Sequence, residues 1–273
     1  MNKLPIVAAV PNYNMGQQLN PLLRVLMEHG YDDIYVLDDA STDDSRDVTR
    51  SISSDIHFVA GSENKGAGGN RNRIIPVLGH EAIVHFIDAD MDPTCNQMAD
   101  RVKEALPSSQ FGFIGGLIND LNGRQMVYNF GPRQSLRNDI SSMMHLGLYA
   151  LGNKKPDLEA SLRDKYANIL QGWPDTSKPP QRQKAFWTAE ANLVVNSRLF
   201  SLLDGFDESL RDHEIQDLAI RMDKLGLERT FDPILSATHT AAQVREGDRN
   251  FAMFRAEAAI ARKHGIRNWI SGR

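Results

Sequence analysis

The residues able to do chemistry fall in short polar segments that each follow an apolar run. Pro11-Asn12-Tyr13-Asn14, Asp38-Asp39-Ala40-Ser41-Thr42-Asp43 and Asp88-Ala89-Asp90-Met91-Asp92 lie in the first third of the chain, and Asp212-His213-Glu214-Ile215-Gln216-Asp217 lies far downstream. Carboxylates, water and phosphate oxygens form the shell that Mg²⁺ or Mn²⁺ prefers. Asp88 and Asp90 are alternate residues at a strand end and so can share such a cation with a bound diphosphate. The competing use of these aspartates is helix capping, for which Asp92-Pro93 is suited.

A second segment, Gly61 to Arg73, is dense in glycine and opens a helix. Its backbone can approach a nucleotide, with Arg71 or Arg73 offered to phosphate; a plain turn rich in Gly and Asn is the alternative. It is not the dinucleotide fingerprint, because Gly66-Ala67-Gly68-Gly69-Asn70-Arg71 puts Arg at the third glycine position and follows the third strand. The sequence also lacks a G-x-x-x-x-G-K-[ST] loop, which argues against a P-loop kinase.

The elements that must position these residues alternate between strand and helix, the pattern of βαβ units and a parallel sheet. Strands are expected at Ile6 to Val10, Ile34 to Leu37, His57 to Ala60, Ile83 to Ile87 and Phe111 to Leu117. Leu19, Leu22, Leu23, Leu26 and Met27 mark the first crossover helix, and Asp44 to Ser51 and Gly66 to Leu78 the next two. From Asn119 to Trp187 the alternation stops. Met143 to Leu151 suggests a helical insertion, and Gly172 to Pro180 a loop or lid. Regular pattern returns with strand Asn192 to Val195, a helix over Ser197 to Leu203 and strand Thr230 to Leu235. Helices follow from Asp212 to Leu225 and from Asp248 to His264, the latter with Phe251, Phe254, Ala258 and Ala259 inward. Ligands of such open α/β sheets bind beyond the carboxyl ends of the strands, where the polar segments fall.

Composition bounds the answer. The 273 residues carry 31 Lys and Arg against 35 Asp and Glu, a net charge of −4, which excludes a generic nucleic-acid binder. With 41% hydrophobic and 24% charged residues the chain is an ordinary globular one. The single cysteine, Cys95, forms no internal disulfide, so a reducing cytoplasm is the natural setting. Neither a signal-peptide core after Met1-Asn2-Lys3 nor a membrane-length apolar run is present, and the expectation is a soluble protein or one held at a membrane only peripherally.

Taken in order, the segments resemble the family 2 inverting glycosyltransferases of GT-A fold. The resemblance rests on Pro11 to Asn14, Val36 to Ser45, Asn64-Lys65-Gly66 with Asn70-Arg71, and Phe86 to Asp90. Ala191 to Val195 and Leu203-Asp204-Gly205-Phe206-Asp207-Glu208 are similar to that family's acceptor-side strand and G-G-F-D-E turn. It covers Ile6 to Ile118 and Thr188 to His264 and leaves the insertion unmatched. The fold it implies is α/β, a Rossmann-like, mostly parallel sheet flanked by helices. Residues 1–118 would form a nucleotide-sugar-binding half and 119–273 an acceptor-binding and catalytic half of one continuous domain.

The resemblance also implies roles. Pro11, Asn12 and Tyr13 would hold the base of a nucleotide-sugar, with Asp39 reading uracil, Asp38 nearby, and Asn64, Gly66, Asn70 and Arg71 on the donor. Asp88 and Ala89 would meet the ribose or sugar, while Asp90 would ligate Mn²⁺ or Mg²⁺ with His239, unless His239 is an ordinary structural histidine. The implied activity is hexosyl transfer from a UDP-sugar to a hydroxyl of a glycan or other acceptor, as in polysaccharide synthesis.

One departure falls at the base. The family carries E-D-x-D-L on a helix, its second acid deprotonating the acceptor. Here Ile215 stands in that place, on the apolar face of its helix. Glu214 is the first choice, with Asp217 and Asp212 as alternatives unless Arg221 pairs with the one and helix capping occupies the other. Trp187, Trp173 and Glu190 would line the acceptor side, although a tryptophan is as readily core. A nucleotidyltransferase would open with a glycine- and arginine-bearing loop, absent after Val10, and a glycoside hydrolase leaves the Gly61 to Arg73 segment unexplained. A nucleotide-sugar binder without activity remains compatible with Ile215.

Overall fold

The computed structural model describes residues 4–240 and 249–271, with only the backbone of 249–254 and 271. Strand β1 (Ile6–Asn12) leads through helix α1 (Gly16–Glu28) to β2 (Asp33–Asp38), and α2 (Ser45–Ile52) leads to β3 (His57–Ala60). Helix α3 (Gly66–Asn72) precedes β4 (Ile83–Ile87), the short β5 (Met91–Pro93), α4 (Met98–Ala105) and β6 (Phe111–Asn119). The insertion holds β7 (Phe130–Gly131), α5 (Leu136–Gly152), α6 (Pro156–Lys165), β8 (Gln183–Lys184) and β9 (Trp187–Thr188). Then come β10 (Asn192–Asn196), α7 (Ser197–Leu202), α8 (Glu214–Lys224), β11 (Glu228–His239), α9 (Arg249–His264) and α10 (Ile266–Ser271).

Nine of these eleven strands make one mixed sheet in the order β3-β2-β1-β4-β10-β6-β11-β5, with β8 beside β11, and β7 pairs with β9 in a separate two-stranded sheet. Parallel pairing joins β1 to β2 and β4, and β2 to β3, whereas β10 runs antiparallel between β4 and β6. The downstream half of the chain therefore inserts a strand into the sheet that the upstream half begins. Because β10 runs backwards, the residues just before it reach the same edge as the ends of β1, β2 and β4, where Asn192 pairs with Ile87. The end of β11 arrives there too, with His239 opposite Met91 of β5.

Burial follows the sequence periodicity. Leu19, Leu22, Leu23 and Leu26 of α1 are at most 2% exposed and pack with Val10, Val36 and Ile87 on one face of the sheet. On the other face, Ile215, Leu218, Ala219 and Met222 of α8 join Phe86, Phe113 and Leu193. Each such side chain contributes about 1.5–3 kcal/mol by leaving water.

Several expectations are revised. The third crossover ends at Asn72 and continues to Val77 as turns, because Pro76 and the preceding Ile74-Ile75 support no further helix. Helix α8 begins at Glu214 rather than Asp212, since His213 takes the left-handed conformation at φ 65°. His239 is the last residue of β11 rather than one beyond it. The insertion contains a second helix, α6, that carries no apolar stripe to announce it, whereas Gly172 to Pro180 does lack helix and strand. In α9 the buried residues are Ala256, Ile260 and Ala261, with Ala258 and Ala259 half-buried. Met1 to Lys3, Asp248 and the side chains of Phe251 and Phe254 lie outside the described residues.

Candidate active site

The edge at the ends of β1 and β2 is tied together by amide and carboxylate side chains. Asn12, 1% exposed, donates from Nδ2 to Asp38 Oδ1 at 2.9 Å and to Ser41 Oγ at 3.1 Å. The second Asp38 oxygen accepts the Ser41 amide at 3.0 Å. Pro11 is half-buried and Tyr13 is 49% exposed, so an apolar ring face and a pyrrolidine remain open at this edge.

Asp39 is committed to the chain itself. Its oxygens accept the Lys65 amide at 2.8 Å, the Gly66 amide at 2.9 Å and Arg73 Nη2 at 3.0 Å, leaving it 2% exposed. The glycine density beyond it has a packing cause. A Cβ at Gly68 would sit 3.0 Å from Glu214 Cγ and from Phe206 Cβ, and Gly66 adopts φ +78° beneath Arg211. Asn70 donates to the Leu37 carbonyl at 2.7 Å and, 3% exposed, locks α3 under the sheet edge. The segment thus joins β2 to α8 rather than presenting its arginines outward, while Asn64 stays exposed and accepts the Gly66 amide at 3.1 Å.

Arg71 is the centre of the buried electrostatics. It is 1% exposed, its Nη2 donates to Asp88 Oδ1, and its Nη1 lies 3.5 Å from Glu190 Oε1. Burial works against the guanidinium charge, and Asp88, Glu190 and Glu214 outweigh it, raising the arginine pKa. Three carboxylates from the β4 end, the segment before β10 and the start of α8 thereby face one cation. Burial pushes Glu190 up to about 7, with Arg71 opposing and Glu214 and Asp88 reinforcing the rise. Its Oε2 is sealed from solvent without a hydrogen-bond partner, as is Arg71 Nε. Glu214, 4% exposed, is likewise raised by burial, although its own and the Gly68 backbone amides and Arg71 oppose the shift. A desolvated carboxylate with a raised pKa is a better proton acceptor than an exposed one.

Asp90 and His239 meet at the neighbouring point of the edge, His239 Nε2 lying 3.3 Å from Asp90 Oδ2. Burial and the Asp88 charge raise the Asp90 pKa, while His239 and Arg71 lower it. The Asp90 carbonyl accepts the Thr240 amide at 2.8 Å, which fixes the end of β11 against the Asp88–Asp90 turn. Ala89 between them is 1% exposed, held in the core by its methyl. Among the described residues no three His, Cys, Asp or Glu side chains surround one point. Asp90 and His239 are an oxygen and a nitrogen donor of the kind a divalent cation accepts, as a two-residue cradle whose other positions phosphate and water would fill.

Other expected participants are placed otherwise. Asp217 is fully buried and bonded to Arg221 Nε at 2.8 Å, Lys263 Nζ at 2.7 Å and His264 Nε2 at 2.7 Å. Burial alone would raise its pKa, but His264, Lys263 and Arg221 hold it well below the carboxylate range. That anchors α9 to α8 and commits the Asp217 charge to three cationic partners. Asp212 accepts the His213 amide at 2.9 Å and does not cap α8. Trp187 is 6% exposed and packs into the core at its contact with Trp173, the centroids 6.0 Å apart, so the indole is a wall of the core rather than a sugar platform.

Sequence reasoning missed Arg211 and His213. Arg211 is exposed above Gly66 and makes no ion pair with any described residue. His213 lies between Asp212 at 3.2 Å and Glu257 Oε1 at 3.0 Å; burial lowers its pKa, yet these two carboxylates carry it to about 10. Glu257 lies 44 residues downstream, and no local pattern announces the pairing.

The central sheet flanked by helices has the GT-A fold of solved glycosyltransferases. Residues 8–106 match the family model described as glycosyl transferase family 2. Among solved structures, a mannosyltransferase from Pyrobaculum calidifontis in complex with GDP-Man and Mn²⁺ is similar at TM-score 0.61 and 16% identity, covering 97% of this chain and 65% of that one. TarS of S. aureus is similar at 0.58 and 16%, covering 95% and 65%. Glucosyl-3-phosphoglycerate synthase from Mycobacterium tuberculosis, in complex with Mn²⁺, UDP and glucosyl-3-phosphoglycerate, is similar at 0.55 and 17%, covering 95% and 79%. The chain spans just under two thirds of the first two of these proteins. A search of curated protein sequences returns no match.

Proposed function

We propose that the protein is a metal-dependent, inverting glycosyltransferase that moves a hexose from a UDP-sugar to an acceptor hydroxyl, with residues 1–118 on the donor and 119–273 on the acceptor. The observation that carries this reading is the convergence of Asp88, Glu190 and Glu214 on buried Arg71, beside the Asp90–His239 pair, at one edge of the sheet. Mn²⁺ or Mg²⁺ on Asp90 and His239 would offset the charge of the leaving diphosphate.

The chain's own residues do the rest. Tyr13 and Pro11 offer faces to the base at the edge that Asn12 and Asp38 stiffen. Asp39 shapes that edge from below by holding the Lys65-Gly66 amides. Arg211, exposed above Gly66, would meet phosphate oxygens of the donor. Glu214 takes the proton of the acceptor hydroxyl as its oxygen bonds to the anomeric carbon and the bond from that carbon to the diphosphate breaks, which inverts the centre. Glu190 supplies a polar partner to the acceptor. Two of the similar structures hold Mn²⁺, one with GDP-Man and the other with UDP, which supports a nucleotide-sugar donor and a divalent cation.

The test is release of UDP from UDP-hexoses with Mn²⁺, against the same mixtures with EDTA and against GDP-mannose. Metal-dependent UDP release supports the proposal. Binding of the donor with no release in the presence of diverse acceptors overturns it and favours an inert binder, the reading that Ile215 in place of the family acid permits.

A further inference from the structure

The candidate base stands on a corner of the chain that a distant helix holds. His213, the residue before Glu214, has φ 65° and ψ 22°, the left-handed region that a non-glycine residue enters only at a cost. Its carbonyl accepts the Asp217 amide at 3.1 Å and so opens α8, but its side chain does not cap that first turn. A first turn without a side-chain cap frays unless something outside the helix restrains it.

The restraint comes through the imidazole. His213 is 8% exposed, with Nδ1 3.2 Å from Asp212 Oδ1 and Nε2 3.0 Å from Glu257 Oε1, so the protonated ring donates to both. Asp212 is the chain neighbour and moves with the corner, whereas Glu257 belongs to α9. The other Glu257 oxygen is sealed from solvent without a hydrogen-bond partner, so the imidazole is what holds this carboxylate in turn. Asp139 of α5 faces the same pair, its proton favoured by the Glu257 charge and opposed by His213. On the other side of the corner, Glu214 packs against Gly68, where a Cβ would come 3.0 Å from its Cγ, and faces Arg71 with Asp212 and Glu190 as the neighbouring acids. Where Glu214 points depends on φ and ψ at residue 213, because those are the soft dihedrals between it and the preceding chain.

We propose that Glu257 is a positioning residue for Glu214: its bond to the His213 imidazole fixes the left-handed corner and the first turn of α8, and thereby seats the Glu214 carboxyl against Gly68 and Arg71. For turnover, this inference rests on the reading of Glu214 as the base.

Two measurements on the full chain test it. The first is UDP release from UDP-hexose with Mn²⁺ and an acceptor. Glu257→Ala is expected to lower kcat about tenfold or more with the donor KM unchanged, and Glu257→Gln, which keeps an oxygen for the imidazole, to restore most of it. Lys263→Met loosens α9 from Asp217 and lowers the melting temperature, yet should leave kcat per folded molecule unchanged. His213→Asn tolerates the left-handed backbone but is shorter than the imidazole, and should repeat the Glu257→Ala effects even where Glu257→Ala itself folds poorly. The second measurement needs no turnover: an NMR titration of the Glu214 carboxyl carbon, identified by its loss in Glu214→Gln. Burial raises the Glu214 pKa above the ordinary 4.5. The midpoint should stay raised in the natural protein, Glu257→Gln and Lys263→Met, and fall toward 4.5 in Glu257→Ala and His213→Asn as the unseated carboxyl reaches water. If the natural protein releases no UDP, the glycosyltransferase reading fails and the titration alone decides the positioning role. A fallen midpoint with kcat unchanged supports that role and removes Glu214 as the base. A midpoint that Glu257→Ala and His213→Asn leave in place, or that Lys263→Met lowers equally, overturns the proposal.

Discussion

Arg71 Nη1 stands 3.5 Å from Glu190 Oε1 inside the fold, and the other Glu190 oxygen is sealed without a partner. The contact stabilises this edge of the sheet only while the cation remains, since Asp88 and Glu214 face the same guanidinium. Arg71→Met strands these carboxylates and is expected to cost about 3 kcal/mol in chemical denaturation. Arg71→Lys keeps the charge but loses the planar fork that reaches Asp88 and Glu190 from separate nitrogens, so an intermediate loss is expected. Losses under about 0.5 kcal/mol for both would remove Arg71 from the centre of the site.

Glu190 carries a pH signature of its own. Its folded pKa of about 7 exceeds the ordinary 4.5, so between these values the folded state keeps a proton that the unfolded state releases. Its contribution is fully present below about pH 4.5 and is lost as pH rises through about 7. Glu190→Gln abolishes that loss. The melting temperature of the variant relative to the natural protein is therefore expected to climb from pH 5 to pH 8, and a flat difference would contradict the buried, proton-holding state.

Most of the sheet was legible because β-branched runs and an amphipathic α1 report burial through local period. His57–Ala60 and Ile83–Ile87 lie where their apolar runs stand in the sequence. The acids after β2 and β4 were legible for the same reason, since strand ends place side chains at a sheet edge. What stayed hidden was pairing across long sequence separations. The clamp of Asp39 on Lys65 and Gly66, the hold of Lys263 and His264 on Asp217 and the Glu257–His213 contact join segments from different elements. The glycines of α3 were visible, but their cause, the close approach of Phe206 and Glu214, belongs to residues more than a hundred positions away.

Metal and nucleotide should raise the melting temperature together. A ligand at about 100 times its Kd adds about 2.7 kcal/mol to the native state. UDP with Mn²⁺ is expected to give a shift that EDTA removes, and Asp90→Ala and His239→Ala should each diminish it. Asp39→Ala should instead lower the melting temperature without ligand, because it frees the Lys65 and Gly66 amides and Arg73. An Asp39→Ala protein of normal stability that has lost only UDP binding would restore the uracil role to Asp39.

Glu214 and Asp217 lie on the same helix and are separated by a paired test. Burial raises the Glu214 pKa, so its charge is disfavoured in the fold, whereas His264, Lys263 and Arg221 favour the Asp217 charge. Glu214→Gln should keep or increase stability at pH 7 while lowering kcat by about 10²–10⁴-fold with donor affinity retained, as expected for loss of a general base. Asp217→Asn should do the reverse, costing about 3 kcal/mol because His264, Lys263 and Arg221 lose their buried counter-charge, with kcat changed little per folded molecule. The Asp217 contribution is present above the ordinary carboxylate pKa and vanishes as pH falls through its depressed folded value, so the stability gap between Asp217→Asn and the natural protein should narrow in acid. If Asp217→Asn abolishes turnover in a stable protein, proton transfer belongs to Asp217, and its three cationic partners must then release it in the acceptor complex.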